Sequence, residues 1–315
     1  MFGDEFAVRS ARGTLMNSQN NTMVIVGTFC FLAILFGFAG FMAWKQTSER
    51  NQYYEQSSLE TERAKNPTKL VKHGPAPGND PSAPSIKPVF YDSGGKKLKA
   101  WLVFPKRKGK CPAVLFDHGG YGVGAGDIRE IRPFVEAGFV VMLPSVRGEN
   151  GNPGEFELCF GEIEDLKAAL NYLAKLPQVD SHMLFAAGHS LGATNVMLLA
   201  ESDGRLKKVA GCGGYPNMAM GNNLYQDILP FNQRGEHELE LRSPALWVSN
   251  LKCPMLLCYG SNDQVEHEYK RLAQDMADRP GAKGKTIVIE DISGADHFQA
   301  ITPAIPRMIT FFSQN

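Results

Sequence analysis

Met183-Leu184-Phe185-Ala186-Ala187-Gly188-His189-Ser190-Leu191-Gly192 runs from a continuously apolar, strand-like segment into a Gly-x-Ser-x-Gly turn, and Ala193 to Ala200 continue it as a helical stretch. A hydroxyl presented on a tight strand-to-helix turn sits in strained backbone, so the residues two before and two after it must be small. Both are glycine here, Gly188 and Gly192. The pattern predicts a nucleophile elbow with Ser190 at its apex; the plainer reading is a serine that only caps the following helix.

Strand-like and helical segments alternate on either side of this turn. Apolar runs occur at Lys99 to Phe104, Ala113 to Asp117, Phe139 to Leu143, Met183 to Ala187, Val209 to Cys212, Met255 to Tyr259 and Thr286 to Ile289. Most are apolar throughout, as expected of strands covered on both faces. Between them, Ile128, Ile131, Phe134 and Val135 follow a helix period, with Asp127 and Glu130 spaced like a capping box. Ile163, Leu166, Ala169, Leu170 and Leu173 form a second stripe, and Val265, Tyr269, Leu272, Ala273 and Met276 a third. The alternation implies an α/β domain with a mostly parallel sheet, helices on both faces, and functional groups at the strands' C-terminal ends.

A serine hydroxyl is a weak nucleophile at neutral pH and needs an imidazole base that is itself oriented by a carboxylate. Of the seven histidines, His297 in Gly294-Ala295-Asp296-His297-Phe298 follows the last apolar run; the others lie in charged, linker or turn sequence or in the elbow itself. Asp263, in Tyr259-Gly260-Ser261-Asn262-Asp263, follows the preceding run, so Ser190, Asp263 and His297 are the expected triad in the chain order this chemistry uses. Asp291 and Asp296 compete with Asp263, although a residue adjacent to the histidine usually points away from it. A helix-capping role is the alternative for Asp263. The glycine-rich turn His118-Gly119-Gly120-Tyr121-Gly122 after an apolar strand can aim amides at a developing oxyanion. Gly120 or Tyr121, together with Leu191, are the candidate donors.

On these residues the chain resembles the α/β-hydrolase superfamily, specifically prolyl-oligopeptidase-like and dienelactone-hydrolase-like catalytic domains. The resemblance runs from about Lys87 to the C-terminus. Besides the elbow it rests on Tyr91-Asp92-Ser93-Gly94-Gly95, on Val146-Arg147-Gly148-Glu149-Asn150-Gly151-Asn152-Pro153-Gly154-Glu155-Phe156, and on Arg242-Ser243-Pro244. It implies that the Arg147-Gly148 segment borders the active site, with Arg147 and Glu149 as structural braces. Peptidases of this kind carry a propeller, which this chain replaces with other sequence, so prolyl specificity is not implied. Residues 215–244 are long enough for a small insertion over the cleft. Its Met218, Met220, Tyr225 and Phe231 either line an acyl pocket or pack the insertion down.

The N-terminal part reads differently. Residues 23–44 carry no charge and as a helix would reach roughly 33 Å, enough to cross a bilayer. A transmembrane helix is expected there, behind a tail at 1–22, with a cleaved signal peptide as the rival. Basic residues flank the span almost evenly, so charge does not set the topology; a short tail before a large domain points to a domain outside the cytoplasm. Residues 45–86, polar and then rich in Pro, Gly and Ser, are expected to be a flexible tether to a catalytic domain at 87–315.

Lys plus Arg equals Asp plus Glu at 33 each, so no net field recruits nucleic acid. The six cysteines show no metal-ligand spacing and read as buried small hydrophobes; neither a metal nor a cofactor is expected. The sum is a membrane-anchored serine hydrolase acting on a small ester, or a short peptide or amide, of unspecified oligomeric state. A membrane-tethered binding or scaffold protein on the same fold is the alternative.

Overall fold

The computed structural model describes residues 42–75, 78, 80–81, 86–220, 228–235 and 237–314. By its internal contacts the chain falls into two units, residues 1–53 and 54–315. Helix α1 covers residues 42–56. The tail expected at 1–22 and the span expected at 23–44, apart from residues 42–44, lie outside the described residues; no described helix is long and apolar enough to cross a membrane.

The second unit is built on an eight-stranded sheet: β1 (Lys87–Ser93), β2 (Lys96–Val103), β3 (Cys111–Asp117), β4 (Val140–Pro144), β5 (Val179–His189), β6 (Lys208–Cys212), β7 (Met255–Gly260) and β8 (Ile287–Ile292). Their spatial order is β1-β2-β4-β3-β5-β6-β7-β8; β2 runs antiparallel to both of its neighbours, β1 and β4, and all other neighbours pair in parallel. Each of the seven apolar runs of the sequence is a strand of this sheet. The eighth, β1, escaped pattern reading because apolar and polar residues do not sort by face in it: Pro88 and Phe90 are exposed while Ser93 is buried.

Helices α3 (Ala125–Glu136) and α7 (Ile301–Ser313) pack together on one face, while α4 (Gly161–Ala174) and α5 (Leu191–Ser202) cover the other. The first face is an aromatic core in which Phe185 stacks on Phe312 at 4.8 Å and Phe139 meets Phe185 edge-on at 5.8 Å. The second face buries every residue of α5, which is why its sequence shows almost no amphipathic pattern. A buried sheet of this kind brings the ends of β3, β5, β6, β7 and β8 to one edge.

The segment expected to be a flexible tether is folded onto the domain from Tyr54 onward. Tyr54 is buried edge-on against Trp247 at 5.1 Å, and helix α2 (Leu59–Lys65) buries Leu59 completely. Arg63, on the same helix, donates to the carbonyls of Cys159 at 2.9 Å and Leu241 at 3.3 Å and lies over the Phe160 ring at 4.4 Å. Farther on, Thr68 and Lys69 bond Glu238, and Leu70 pairs with Phe231 in an isolated bridge. Three anchors spaced over ten residues are too sparse for a hydrophobic pattern, and their partners all come from distant parts of the chain. The insertion at 215–244 is likewise packed down: Met218 and Phe231 are buried, Phe231 beneath the guanidinium of the buried Arg242 at 3.9 Å. Met220 is exposed and Tyr225 lies outside the described residues.

One buried group works against stability. Glu201 on α5 is buried with neither carboxyl oxygen bonded to a described residue, and burial pushes its pKa well above the ordinary glutamate range despite the nearby Arg63. A carboxyl that holds its proton only when folded destabilises the fold increasingly as pH rises past the unfolded value. Glu201→Met is therefore expected to stabilise the protein by about 1 to 3 kcal/mol in denaturant titrations, more at pH 8 than at pH 5. A chain starting at Lys87 should lose about 3 kcal/mol or more relative to one starting at Tyr54, since it forfeits the burial of Tyr54 and Leu59.

Candidate active site

Ser190 sits between β5 and α5 with φ 54° and ψ −118°. Its N–H donates to the Cys212 carbonyl of β6 at 2.8 Å, which pins the turn to the neighbouring strand. The two flanking glycines are required by contact: a Cβ at Gly192 would stand 2.2 Å from the Asp117 carbonyl oxygen, and one at Gly188 would stand 2.5 Å from the Gly192 carbonyl. The sequence reading of this turn thus agrees with the backbone geometry. The hydroxyl opens onto a cavity of about 340 Å³ whose lining includes Gly120, Tyr121, Leu191 and His297.

His297 follows β8, and its Nε2 lies 2.9 Å from Ser190 Oγ. Its Nδ1 lies 2.6 Å from Oε1 of Glu266. The carboxylate can only accept, so Nδ1 carries the proton and Nε2 keeps the lone pair that faces the serine hydroxyl. Glu266 is fully buried in the first turn of α6 (Gln264–Ala277), where its second oxygen accepts the Gly260 N–H at 2.8 Å. The carboxylate is thereby fixed from both sides.

Asp263, expected to hold the imidazole, does not reach it. Asp263 is the N-cap of α6, and its carboxylate accepts the Val265 N–H at 2.7 Å. The cap geometry turns the side chain back onto its own helix, whereas three residues later the chain faces inward and Glu266 meets the ring. The sequence Asp263-Gln264-Val265-Glu266 has capping-box spacing, and that was the available signal. Here the glutamate of that box reaches the histidine instead of its own N-cap. The other two competitors are also engaged: Asp296 accepts the N–H groups of Phe298 at 3.0 Å and Gln299 at 2.8 Å, and Asp291 pairs with Lys270 at 2.6 Å.

Two further residues escaped the sequence reading. Gly213 has φ +65°, and a Cβ there would stand 2.9 Å from His297 Nδ1 and 3.0 Å from Glu266 Oε1, so a side chain would intrude on the imidazole–carboxylate bond. His189, beside the nucleophile, lies parallel enough to His297 to hold ring centroids 5.2 Å apart, and its Nε2 is 3.2 Å from the His297 carbonyl. Burial lowers the His189 pKa to about 4, so the neutral ring donates Nε2–H to that carbonyl.

The glycine-rich turn is braced from beneath. His118 Nδ1 bonds the Gly119 carbonyl at 3.1 Å and Nε2 bonds the buried Glu149 at 3.0 Å. Burial opposes the charge on His118, but Glu149 and Asp117 outweigh it and raise the pKa to about 10. Asn150 holds Val123 through both backbone groups at 2.9 and 3.0 Å. Arg147 closes the brace with a bidentate pair to Asp165, at 2.8 and 2.9 Å, and a bond to Glu157 at 2.6 Å. Gly120, Tyr121 and Leu191 border the cavity next to Ser190, with the Leu191 amide among the helix N–H groups that lack an intrahelical partner.

This strand order, with the serine turn after β5, the carboxylate after β7 and the histidine after β8, has known relatives. A family model described as X-Pro dipeptidyl-peptidase (S15 family) matches residues 94–235, less than half of the chain. An uncharacterized peptidase of Bacillus subtilis (strain 168), YtmA, is 28% identical over 194 residues, covering 58% of this chain and 76% of that protein. The puromycin-hydrolyzing peptidase of Mycobacterium tuberculosis superposes with a TM-score of 0.64 at 20% identity, over 73% of this chain and 40% of that one. Residues 54–315 have an α/β-hydrolase-like fold. A further solved structure, Est1E of Butyrivibrio proteoclasticus with bound ferulic acid, gives a TM-score of 0.56 at 20% identity and is covered over 97% of its length, against 71% of this chain. The α/β-hydrolase match therefore spans about two fifths of the solved peptidase and nearly all of Est1E.

The geometry separates two acidic residues three positions apart. Glu266→Gln is expected to lower turnover by about 10³ to 10⁴, because the amide no longer fixes the tautomer or balances the imidazolium. Asp263→Ala should leave turnover within a few-fold and cost about 1 kcal/mol of stability through loss of the helix cap. Steady-state kinetics and denaturant titration of the two variants read these outcomes.

Proposed function

We propose that this protein is a serine hydrolase that cleaves an ester or amide bond of a small substrate through an acyl-enzyme. One observation carries the reading: an unbroken hydrogen-bonded chain from Ser190 Oγ through His297 to the buried Glu266, opening on a cavity. In this mechanism Ser190 Oγ bonds to the acyl carbon while His297 Nε2 takes its proton. The tetrahedral oxyanion is met by the Leu191 amide and that of Gly120 or Tyr121. His297 then returns the proton to the leaving oxygen or nitrogen as the carbon–heteroatom bond breaks, and a water repeats the sequence to free the acid. Glu266 remains ionised and stabilises the transient imidazolium. No step requires a metal or a redox group.

Peptide or amide substrates are supported by the peptidase relatives and ester substrates by the Est1E likeness, so the assignment here is to acyl transfer to water rather than to one leaving group. Anchoring in a bilayer through residues 23–44, with the hydrolase unit outside the cytoplasm, is part of the proposal and rests on the uncharged length of that segment.

A fluorophosphonate probe should label the wild-type chain and fail to label Ser190→Ala. Labelling that survives the substitution removes Ser190 as nucleophile, and a folded wild type that resists the probe favours a non-catalytic scaffold. In fractionation, the full chain is expected with membranes and a chain starting at Tyr54 in the soluble fraction, both labelled equally.

A further inference from the structure

Glu130 is the residue of the cavity that the mechanism leaves unused. The sequence spacing suggests that Asp127 and Glu130 cap helix α3 together, but the N-cap is Gly124 and the reaching acid is Asp127, whose Oδ2 accepts the Gly124 N–H at 2.7 Å. Asp127 is thereby engaged. Glu130, one turn further on, lines the same cavity as Ser190 and His297, and its Oε2 is buried with no hydrogen-bond partner among the described residues. His118, the buried cation nearest in the chain, is already bonded to Glu149.

A part-buried carboxyl with one oxygen enclosed and unbonded in this position needs an explanation. Partly desolvating an anion without a bonded partner is costly, and the cavity is also where the oxyanion of the proposed reaction develops. Two negative charges in one poorly solvated space disfavour each other, so an ionised Glu130 alone would slow the reaction that Ser190 performs. Burial, with a smaller contribution from Asp127, raises its pKa to about 7 against the opposing charges of His118 and Arg129, neither of which bonds it. A substrate that brings a cation into the cavity removes both penalties: it pairs the carboxylate and offsets the oxyanion.

We infer that Glu130 determines specificity by binding a primary ammonium group on the acyl part of the substrate, so that the preferred substrates are aminoacyl esters or amides with a free amine. This inference rests on the serine-hydrolase reading and deepens it. The cavity volume of about 340 Å³ suits an acyl group of amino-acid size.

The test compares matched substrates on the full chain: L-alanine 4-nitroanilide and 4-nitrophenyl ester against their N-acetyl counterparts, with fluorophosphonate labelling of Ser190 run alongside. A charge-assisted contact of this kind should give the wild type a preference of about tenfold to a hundredfold in kcat/KM for the free amines. Glu130→Gln, nearly isosteric, should reduce that preference to within about threefold of unity while Ser190 still takes the label. A wild type that cleaves the N-acetyl substrates as well as or better than the free amines overturns the inference without any variant. A Glu130→Gln enzyme that labels and keeps the full preference overturns it too. A wild type that takes the label but turns over none of the four compounds overturns the inference and leaves the serine-hydrolase reading standing; a folded wild type that fails to label defeats that reading, and the inference with it.

Discussion

Ser190 occupies a backbone conformation that a residue with a side chain holds only where its surroundings leave no alternative. That constraint organises the rest of the domain. The strand before it and the helix after it converge so closely that Gly188 and Gly192 must lack side chains, and the serine N–H is tied to β6. A turn this tight survives because the helix it opens is buried along its whole length and the strand that feeds it lies mid-sheet. The energy of packing a long apolar helix against two strands offsets the local strain, and it holds the hydroxyl at the edge where neighbouring strands end.

The same edge explains the use of a glutamate to hold the imidazole. The carboxylate arises from the first turn of α6, not from the loop before it, and the longer side chain spans the extra distance to His297. It enters over Gly213, whose missing side chain leaves room for the ring and the carboxylate to meet. Its second oxygen is satisfied by a backbone N–H, so the anion is bonded on both sides, as burial demands. The glycine-rich turn is supported in a comparable way, by a protonated histidine and a buried glutamate below it. Glu130 differs from these carboxylates, because its enclosed Oε2 has no hydrogen-bond partner among the described residues.

The N-terminal segment illustrates how few residues convert a linker into part of a domain. Tyr54, Leu59 and Arg63 each reach a different distant loop, and the last of them lies against Phe160 together with Arg242. The two arginines satisfy carbonyls that the loop at 157–160 and the insertion would otherwise leave unbonded. Loops without regular structure need such donors if they are to be buried. The domain thus includes some thirty residues that composition alone assigns to a spacer.

The sequence by itself determined the elements whose cause is local. Continuous apolar runs identify the buried parallel strands, glycines at fixed offsets identify the serine turn, and chain order identifies His297, because period, turn chemistry and connectivity are written in neighbouring residues. Only the tertiary structure decided what depends on direction and distance. Asp263 and Glu266 are equally acidic and three residues apart, and the helix cap alone settles which of them turns inward. Tyr54, Leu59 and Arg63 look like a spacer until Trp247, the Asn250 side chain that accepts the Leu59 N–H at 3.2 Å, and Phe160 arrive from nearly a hundred residues away or more. Glu130 reads as a helix-capping acid until the fold sets it in the cavity beside Ser190. A side chain's neighbours across space are fixed by how the whole chain closes, and no stretch of sequence carries that information alone.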